Sequence, residues 1–248
     1  MTYEKRIVAF IDILGFKSLI NETEKSDNQN EIKNITDAFD LIYKVLDKHY
    51  SKDQIKEIKY STFSDCIVFS FPSFQTDALF FACLPLIWLQ ADLVSNHNIF
   101  LRGAITIGDI YHDANKVFGP AMVEAYELES KVAKYPRIIL DPKIKTAYDD
   151  WLVKLEEEGD CDKIYDLKEE LNSVFSENGL LTKDRDDYYY VDYLRGIVQE
   201  MDEPENYPNF IEHVERLVQP YLKPDTDESL LRKYLWLDEK LKKIKSLF

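Results

Sequence analysis

Apolar residues recur at strand spacing in three segments near the start of the chain. The segment Lys5 to Leu14 alternates into a buried strand. Two further strands are predicted over Ile55 to Phe63 and Cys66 to Phe71. Only Ser64 and Asp65 separate them, which predicts a hairpin.

The rest of the chain alternates helical spacing with short strands. Further strands are predicted at Phe100 to Ile107, Arg137 to Leu140 and Tyr188 to Leu194, with a turn at Gly108-Asp109 before a brief return over Ile110 to His112. Helices are predicted at Phe16 to Thr23, Ile32 to His49, Thr76 to Asn96, Gly119 to Ala133, Pro142 to Glu158, Lys163 to Ser173, Asn206 to Tyr221 and Asp227 to Phe248. This order predicts an α+β fold in which helices cover one face of a sheet. The texture changes after Gly159, so we expect a core over residues 1–158 and an α/β extension over residues 159–248 packed on it.

Composition narrows the classes of function. The chain has 248 residues, of which 45% are hydrophobic and 31% charged, as in ordinary globular proteins. Its 46 acidic and 31 basic residues give a net charge of −15. A protein that binds nucleic acid normally has a basic face, so nucleic acid is not expected as a partner.

The apolar run and the cysteines bear on location. Ala78 to Val94 is the most apolar segment, but Pro85, Gln90 and Asp92 interrupt it, so no membrane insertion is expected. The three cysteines lack CxxC spacing, and we see no signal peptide, which predicts a reducing cytoplasm and no zinc site. The scattered histidines are expected at the surface or hydrogen-bonded rather than on a metal.

Two aspartates sit among apolar neighbours at predicted strand ends. Asp12 lies near the carboxyl end of the first strand, in FIDILGF, and Asp65 lies in the hairpin turn of FSDCIVFSF. An ionised carboxylate in such surroundings is costly unless it is paired or bound to a metal. Together the two would make an oxygen-rich site for Mg²⁺ or Mn²⁺. Alternatively, each aspartate caps a turn.

The motifs FIDILGF, FSDCIVFSF, LRGAITIGDI and FGPAMVEAYELES follow one another in this order. The order resembles the catalytic domain of class III nucleotide cyclases, and most of all the pyrimidine cyclases of bacterial anti-phage (Pycsar) systems. The resemblance covers residues 5–145. It implies the ferredoxin-like fold of that family, with an antiparallel-rich sheet.

The resemblance also implies a metal and phosphate site. Asp12 and Asp65, with the carbonyl of Ile13, match the positions that hold two divalent ions, Mn²⁺ or Mg²⁺, on a nucleoside triphosphate. The backbone N–H groups of Gly15, Phe16 and Lys17 stand at a strand-to-helix turn, where they are expected to cradle the β- and γ-phosphates. The side chain of Phe16 fits a helix core equally well.

Arg102 matches the position where the cyclases place a phosphate-binding arginine. A guanidinium offers a bidentate fork to phosphate oxygens, and Gly103 is expected to clear space beside it. The alternative is an arginine at a strand edge that faces solvent.

Other positions depart from the purine cyclases. Ser61, beside Tyr60, stands where those enzymes carry a base-reading lysine or glutamate, and Lys116 matches their second base-reading position. Val123 and Glu127 replace the usual asparagine and transition-state arginine. We expect Tyr60, Ser61 and Lys116 to contact the nucleotide, with a hydroxyl from either Ser61 or Thr62 fitting a single-ring base.

These departures are typical of the pyrimidine branch. The resemblance therefore implies a cyclase that makes cyclic UMP or cyclic CMP from UTP or CTP. It also implies a homodimer with composite active sites, and a separate effector protein that responds to the cyclic nucleotide in anti-phage defence. The alternatives are an inactive nucleotide-binding or dimerisation module, and a purine cyclase.

Three side-chain roles stay open at this point. Arg137 is either a replacement phosphate ligand or a salt-bridge partner of helix glutamates. Tyr126 and Glu127 either face the cleft or fill a helix face. The tyrosines of Tyr188 to Leu194 form either a stacking surface or buried strand faces.

Overall fold

The computed structural model describes residues 2–25, 29–49 and 57–246. In chain order its strands are β1 (Glu4–Ile13), β2 (Lys59–Phe63), β3 (Cys66–Pro72), β4 (Leu101–His112), β5 (Val117–Phe118), β6 (Ile138–Leu140), β7 (Leu181–Lys183) and β8 (Tyr189–Val191). Its α-helices are α1 (Phe16–Lys25), α2 (Gln29–His49), α3 (Ala78–His97), α4 (Pro120–Lys131), α5 (Pro142–Glu158), α6 (Cys161–Phe175), α7 (Tyr193–Gly196), α8 (Tyr207–Val218) and α9 (Glu228–Lys245). Short 3₁₀ turns cover Ile197–Glu200, Pro204–Asn206 and Gln219–Tyr221. Ile55, the predicted start of the second strand, and Phe248, the predicted end of the last helix, lie outside the described residues.

One mixed sheet has the strand order β2-β3-β1-β4-β6-β8-β7, and β5 pairs with the far end of β4. β1 runs antiparallel to both neighbours, β3 and β4, so the first four strands have the order of a split βαβ, ferredoxin-like unit. β6 lies parallel to β4, and β8 and β7 add antiparallel strands beyond it. The predicted α+β class is confirmed.

β1 is central and its residues are buried on both faces, which is why it reads as an almost unbroken apolar run. Ile7, Ile11 and their odd-numbered neighbours pack on one face, in the main core with α2 and α3. Val8 and Phe10 point to the other face and form a smaller core, with Ala121 among its members. Helices therefore lie on both faces of the sheet and not on one face as predicted, because α4 packs on the second face.

The last third of the chain extends the same sheet. A buried guanidinium, that of Arg137 before β6, forms ion pairs with Asp184 and Asp186 in the β7–β8 turn. Trp236 of α9 donates its indole N–H to Asp184 at 2.6 Å. This aromatic and charged cluster joins the terminal helix to the sheet. Of the two roles left open for Arg137, the structure shows a salt bridge, but its partners are aspartates of the turn and not the predicted helix glutamates.

Within the described residues, α3 alone has the length and apolar composition of a membrane span. Most of it is buried inside the fold, against the sheet and its neighbouring helices. Glu170 of α6 accepts hydrogen bonds from the backbone N–H groups of Asp77, Leu79 and Phe80 at its first turn. Helix α3 is therefore a core helix capped by another helix.

The turn predicted at Gly108-Asp109 is absent. β4 continues through both residues, with Asp109 exposed and Ile110 buried, which is the alternation of a strand with one open face. Gly108 lies opposite Arg6 of β1, and a Cβ there would stand 3.3 Å from the Cβ of Ala121 in α4. The glycine thus marks close approach of a helix.

Candidate functional site

Strand register places the predicted residues side by side. Asp12, near the end of β1, is paired with Cys66 of β3 on one side and with Arg102 of β4 on the other. Paired residues of adjacent strands share a face of the sheet, so these three side chains leave from the face that carries α4. The N–H of Ile13 donates to the carbonyl of Asp65 at 3.1 Å, which holds the hairpin turn against β1.

Two carboxylates and a thiol meet there. One ligand atom each from Asp12, Asp65 and Cys66 lie within 4.8 Å of one another, and all three residues are half-buried. Burial, and then the nearby charge of Glu129, raise the pKa of Asp12 to about 7. Burial and the charge of Asp65 raise the pKa of the Cys66 thiol to about 12. The thiol is therefore protonated, and the carboxylates carry the chemistry of the cluster.

Arg102 bridges two acids. One of its terminal nitrogens lies 3.2 Å from Asp12 Oδ2 and also forms an ion pair with Glu129. The carboxyl of Glu129 comes from α4, is almost fully buried, and has a pKa that burial raises. The described structure thus gives Arg102 carboxylate partners rather than a solvent-facing position. Gly103 allows the close approach of β4 to β1, since a Cβ there would stand 2.7 Å from the carbonyl oxygen of Phe10. It was expected instead to clear space beside Arg102.

Glu129 was missed from the sequence, although α4 carries a signal for it. Ala121, Ala125 and Glu129 are four residues apart and form the buried side of the helix. A glutamate that continues an alanine stripe must face the sheet, where a buried acid needs a partner. Lys233 of α9 was missed as well. Burial, and then the charge of Arg102, lower the pKa of Lys233, while Asp12 raises it.

The donor set fits a hard divalent cation. Carboxylate oxygens are the ligands that Mg²⁺ and Mn²⁺ prefer, and Asp12 and Asp65 provide them at one end of the sheet. Burial first, and then the charges of Glu129 and Asp65, raise the pKa of Asp12 against the opposing charge of Arg102, so the ionised carboxylate is costly in this site. A bound cation would relieve that cost.

Gly15 and Phe16 form the turn beside the cluster. Gly15 has φ +81°, a conformation that a side chain disfavours, and α1 begins at Phe16. Backbone N–H groups in the first turn of a helix have no partner within it. The ring of Phe16 meets Phe39 edge-to-face at 6.3 Å, so its side chain packs on α2 while its N–H stays at the helix start.

A cavity of about 930 Å³ opens on the same face. It brings together Tyr60, Ser61 and Lys116, three of the residues predicted to contact the nucleotide, whereas Gly15, Phe16 and Arg102 do not line it. The wall also includes Cys66, so the cavity adjoins the carboxylate cluster. The hydroxyl of Ser61 lies 3.0 Å from Nε2 of His112, which no sequence signal indicated.

On α4, Val123 and Glu127, the two positions that differ from the purine cyclases, are exposed. Val123 is 59% exposed, and Glu127 forms an exposed ion pair with Lys131 one turn further on. Tyr126 is exposed too, and its ring meets Phe10 edge-to-face at 5.6 Å in the cavity wall. Tyr126 therefore borders the cavity, whereas Glu127 does not line it.

The tyrosines in and beside β8 face the interior. Tyr190 is buried and Tyr189 half-buried. Tyr190 packs against Trp236 in the cluster around Arg137. Burial of a strand face describes this segment better than a stacking surface.

No protein-family model and no curated protein matches the chain. Among solved structures it is similar to the adenylyl cyclase CyaB from P. aeruginosa, with 15% identity and a TM-score of 0.45 over 60% of this chain and 84% of that one. It is also similar to the guanylyl cyclase domain of the RhoGC fusion protein from Blastocladiella emersonii, with 13% identity and a TM-score of 0.49 over 77% of this chain and 96% of that one. A third is the guanylyl cyclase Cya2, with 16% identity and a TM-score of 0.42 over 58% and 78%. At these identities the function has to come from the chemistry of the site.

Proposed function

We propose that the protein is a nucleotide cyclase, which converts a nucleoside triphosphate to its 3′,5′-cyclic monophosphate and pyrophosphate. The observation that carries the proposal is the meeting of Asp12 and Asp65, whose oxygens lie within 4.8 Å at one end of the sheet. These carboxylates, with the carbonyl of Ile13, would hold two divalent ions, Mn²⁺ or Mg²⁺. Such ions, when bound, stabilise the attacking and the departing oxygen of an in-line displacement.

The chain's own groups would orient the triphosphate. The Arg102 guanidinium already lies beside Asp12 and can offer its fork to phosphate oxygens. N–H groups at the start of α1, from Gly15 and Phe16 onward, provide donors and the positive end of the helix dipole. Phosphates and metal oxygens would thus lie at the same end of β1.

We propose a pyrimidine base as the preferred substrate group. The support is the small hydroxyl of Ser61 in the cavity wall, where purine cyclases carry a lysine or glutamate, together with Tyr60 and Lys116 nearby. The roles in anti-phage defence and with a separate effector rest on the resemblance of the motifs. The free thiols of the described cysteines support the proposed cytoplasmic location.

A homodimer with shared sites is part of the proposal. Large apolar side chains stay exposed around the cavity: Phe63 is 82% exposed, Tyr126 53% and Phe118 49%. An exposed apolar patch of this kind marks an interaction surface. A second copy on this face would cover the patch and bring its residues to the cavity.

The test is incubation of the pure protein with each of the four nucleoside triphosphates and Mn²⁺. We expect cyclic UMP or cyclic CMP with one pyrophosphate per product. Asp65→Asn removes one metal-binding charge and is expected to abolish turnover without unfolding the protein. Asp149→Asn, at an exposed carboxylate paired with Lys145, is the matched control and should retain activity. Nucleotide binding without any cyclic product would refute the proposal that the protein is a nucleotide cyclase.

A non-catalytic nucleotide-binding module is the second candidate. The exposed Val123 and the Glu127–Lys131 ion pair favour it, because neither position offers a group for the transition state. Calorimetry separates the two, since a module would bind nucleotide without releasing pyrophosphate. A cyclic purine product in the same assay would identify a purine cyclase instead.

A further inference from the structure

A chain of hydrogen bonds runs from β1 to the cavity wall. Arg6 donates from Nε to the hydroxyl of Ser70 at 3.1 Å, and that hydroxyl lies 2.8 Å from Nδ1 of His112. Nε2 of His112 lies 3.0 Å from the hydroxyl of Ser61. The first three residues are buried, and Ser61 lines the cavity. The nucleotide-facing hydroxyl is therefore connected to the interior.

The direction of these bonds follows from the donor at one end. A guanidinium only donates, so the Ser70 oxygen accepts from Arg6. The Ser70 hydroxyl is fully buried, and its own proton needs an acceptor, which Nδ1 of His112 provides. Burial, and then the charge of Arg6, lower the pKa of His112 to about 4, so the ring is neutral and has a single proton. That proton is on Nε2.

It follows that Nε2–H of His112 faces the Ser61 oxygen, beside the Tyr60 carbonyl that also accepts from this ring, and a protonated Nε2 cannot accept, so the Ser61 proton is left to donate into the cavity. Lys116, also in the wall, has donors only. Asn115 can present either its oxygen or its amide nitrogen and does not discriminate. Ser61 and Lys116 therefore both present donors to the cavity.

We propose that His112 is a positioning residue that makes Ser61 a hydrogen-bond donor, and that this donor meets position 4 of the substrate base rather than position 2 or 3, so that the cavity selects uracil over cytosine. Uracil has a carbonyl at position 4, where cytosine has an amine that only donates. A site whose donor meets an amine leaves both groups unpaired, which is the strongest basis for discrimination between similar ligands. This inference rests on the proposed function and deepens it, because it names UTP rather than CTP as the substrate.

Binding of 3′-deoxy-UTP and 3′-deoxy-CTP tests the inference, since neither analogue has the hydroxyl needed to cyclise. Calorimetry with Mg²⁺ on the full chain is expected to give about fivefold to tenfold tighter binding of the uridine analogue, the worth of one neutral hydrogen bond with its unpaired alternative. Ser61→Ala should bring the two affinities within about twofold of each other. Ser73→Ala, whose hydroxyl bonds the Lys5 carbonyl outside the cavity, should keep the preference. Equal affinities in the unmodified protein, or tighter binding of the cytidine analogue, would overturn the inference.

Two variants test the part played by His112. In His112→Gln the amide oxygen can accept from Ser70 while its nitrogen donates to Ser61, so the preference for uridine should persist. In His112→Glu the new side chain can only accept when ionised, so Ser61 must turn its proton inward and the preference should be lost or reversed. Thermal melting establishes that each variant is folded before its affinities are compared. A folded glutamate variant with the original preference would contradict the inference.

Nitrogen-15 NMR of the unmodified protein gives a readout that needs no variant to fold. The His112 ring should show a protonated Nε2 and an unprotonated Nδ1 at pH 7, with the signal assigned by its absence in His112→Gln. A protonated Nδ1 would overturn the assigned direction. Because binding and NMR need no turnover, absence of cyclic product in the four-nucleotide assay would refute the cyclase while these results still decide the donor.

Discussion

Replacing Glu129 by glutamine should change how metal binding depends on pH. A metal ion and a proton compete for the same oxygens of Asp12, whose pKa is raised to about 7 by burial and by Glu129. Affinity for Mn²⁺ should therefore rise with pH up to about 7 and level off above it. With a pKa of about 7, one carboxylate in eleven is ionised at pH 6, so the Kd at pH 6 should be about ten times the Kd at pH 8.

Glu129→Gln removes the second-largest cause of that shift and leaves burial in place. Loss of one like charge in a half-buried site lowers the pKa of Asp12 by about one unit. The ratio of the two Kd values should then fall from about ten to about two. Arg102 loses one partner and keeps Asp12, which moves the pKa in the same direction.

Calorimetric titration of the full chain with Mn²⁺ at pH 6 and pH 8 measures both ratios without any turnover. Glu127→Gln is the matched control, because Glu127 is exposed on the same helix and paired with Lys131. It should keep the ratio of the unmodified protein. A flat pH response of the unmodified protein would refute the assigned pKa, and an unchanged ratio in Glu129→Gln would refute its cause. Weaker binding of that variant at pH 8 is expected as well, because the lost charge of Glu129 attracts the cation, so the ratio of the two Kd values and not the affinity at one pH is the test.

Three further predictions concern packing and assembly. Gly103→Ala should lower the free energy of unfolding by about 1–3 kcal/mol, measured in urea, because its Cβ would stand 2.7 Å from the Phe10 carbonyl oxygen; an unchanged midpoint would show that β4 can move away. Arg137→Leu should cost about 3–5 kcal/mol, since it leaves the buried Asp184 without its guanidinium, although other donors to that carboxylate remain; a neutral result would mean that the ion pair adds nothing. Phe63→Asp should shift the protein toward monomer in analytical ultracentrifugation, and an unaltered mass distribution would remove this residue from the dimer surface.

The sequence was most informative where one local pattern decides the structure. The apolar segment that ends in FIDILGF is long enough for a central strand. The two residues Ser64 and Asp65 between apolar segments predict a hairpin. Once the hairpin packs beside β1, register alone brings Asp12 opposite Cys66. That meeting of Asp12 with the hairpin is therefore predictable from spacing, although the 4.8 Å separation of ligand atoms is not.

Contacts between segments distant in sequence could not be predicted from local patterns. In helix α4 the motif draws attention to Val123 and Glu127, whose side chains are exposed, whereas its buried residues are Ala121, Ala125 and Glu129. The partners of Arg137 come from a turn about 47 residues away, so no helical or strand spacing encodes them. His112 has no sequence neighbour that indicates Ser70. Each of these depends on which faces meet after folding.

The unpaired charge of the site is the physical link between its acids and the proposed metal. When ionised, Asp12, Asp65 and Glu129 bring three negative charges, against which Arg102 and, at longer range, Lys233 of α9 bring two positive charges. Half-buried carboxylates cannot keep such an excess at low cost, so Asp12 takes up a proton more readily, and its pKa is raised. A divalent cation would supply the missing charge and displace that proton. It would also free Arg102 from Asp12 to meet phosphate, so the same charge imbalance that raises the pKa of Asp12 would prepare the site for metal and triphosphate together.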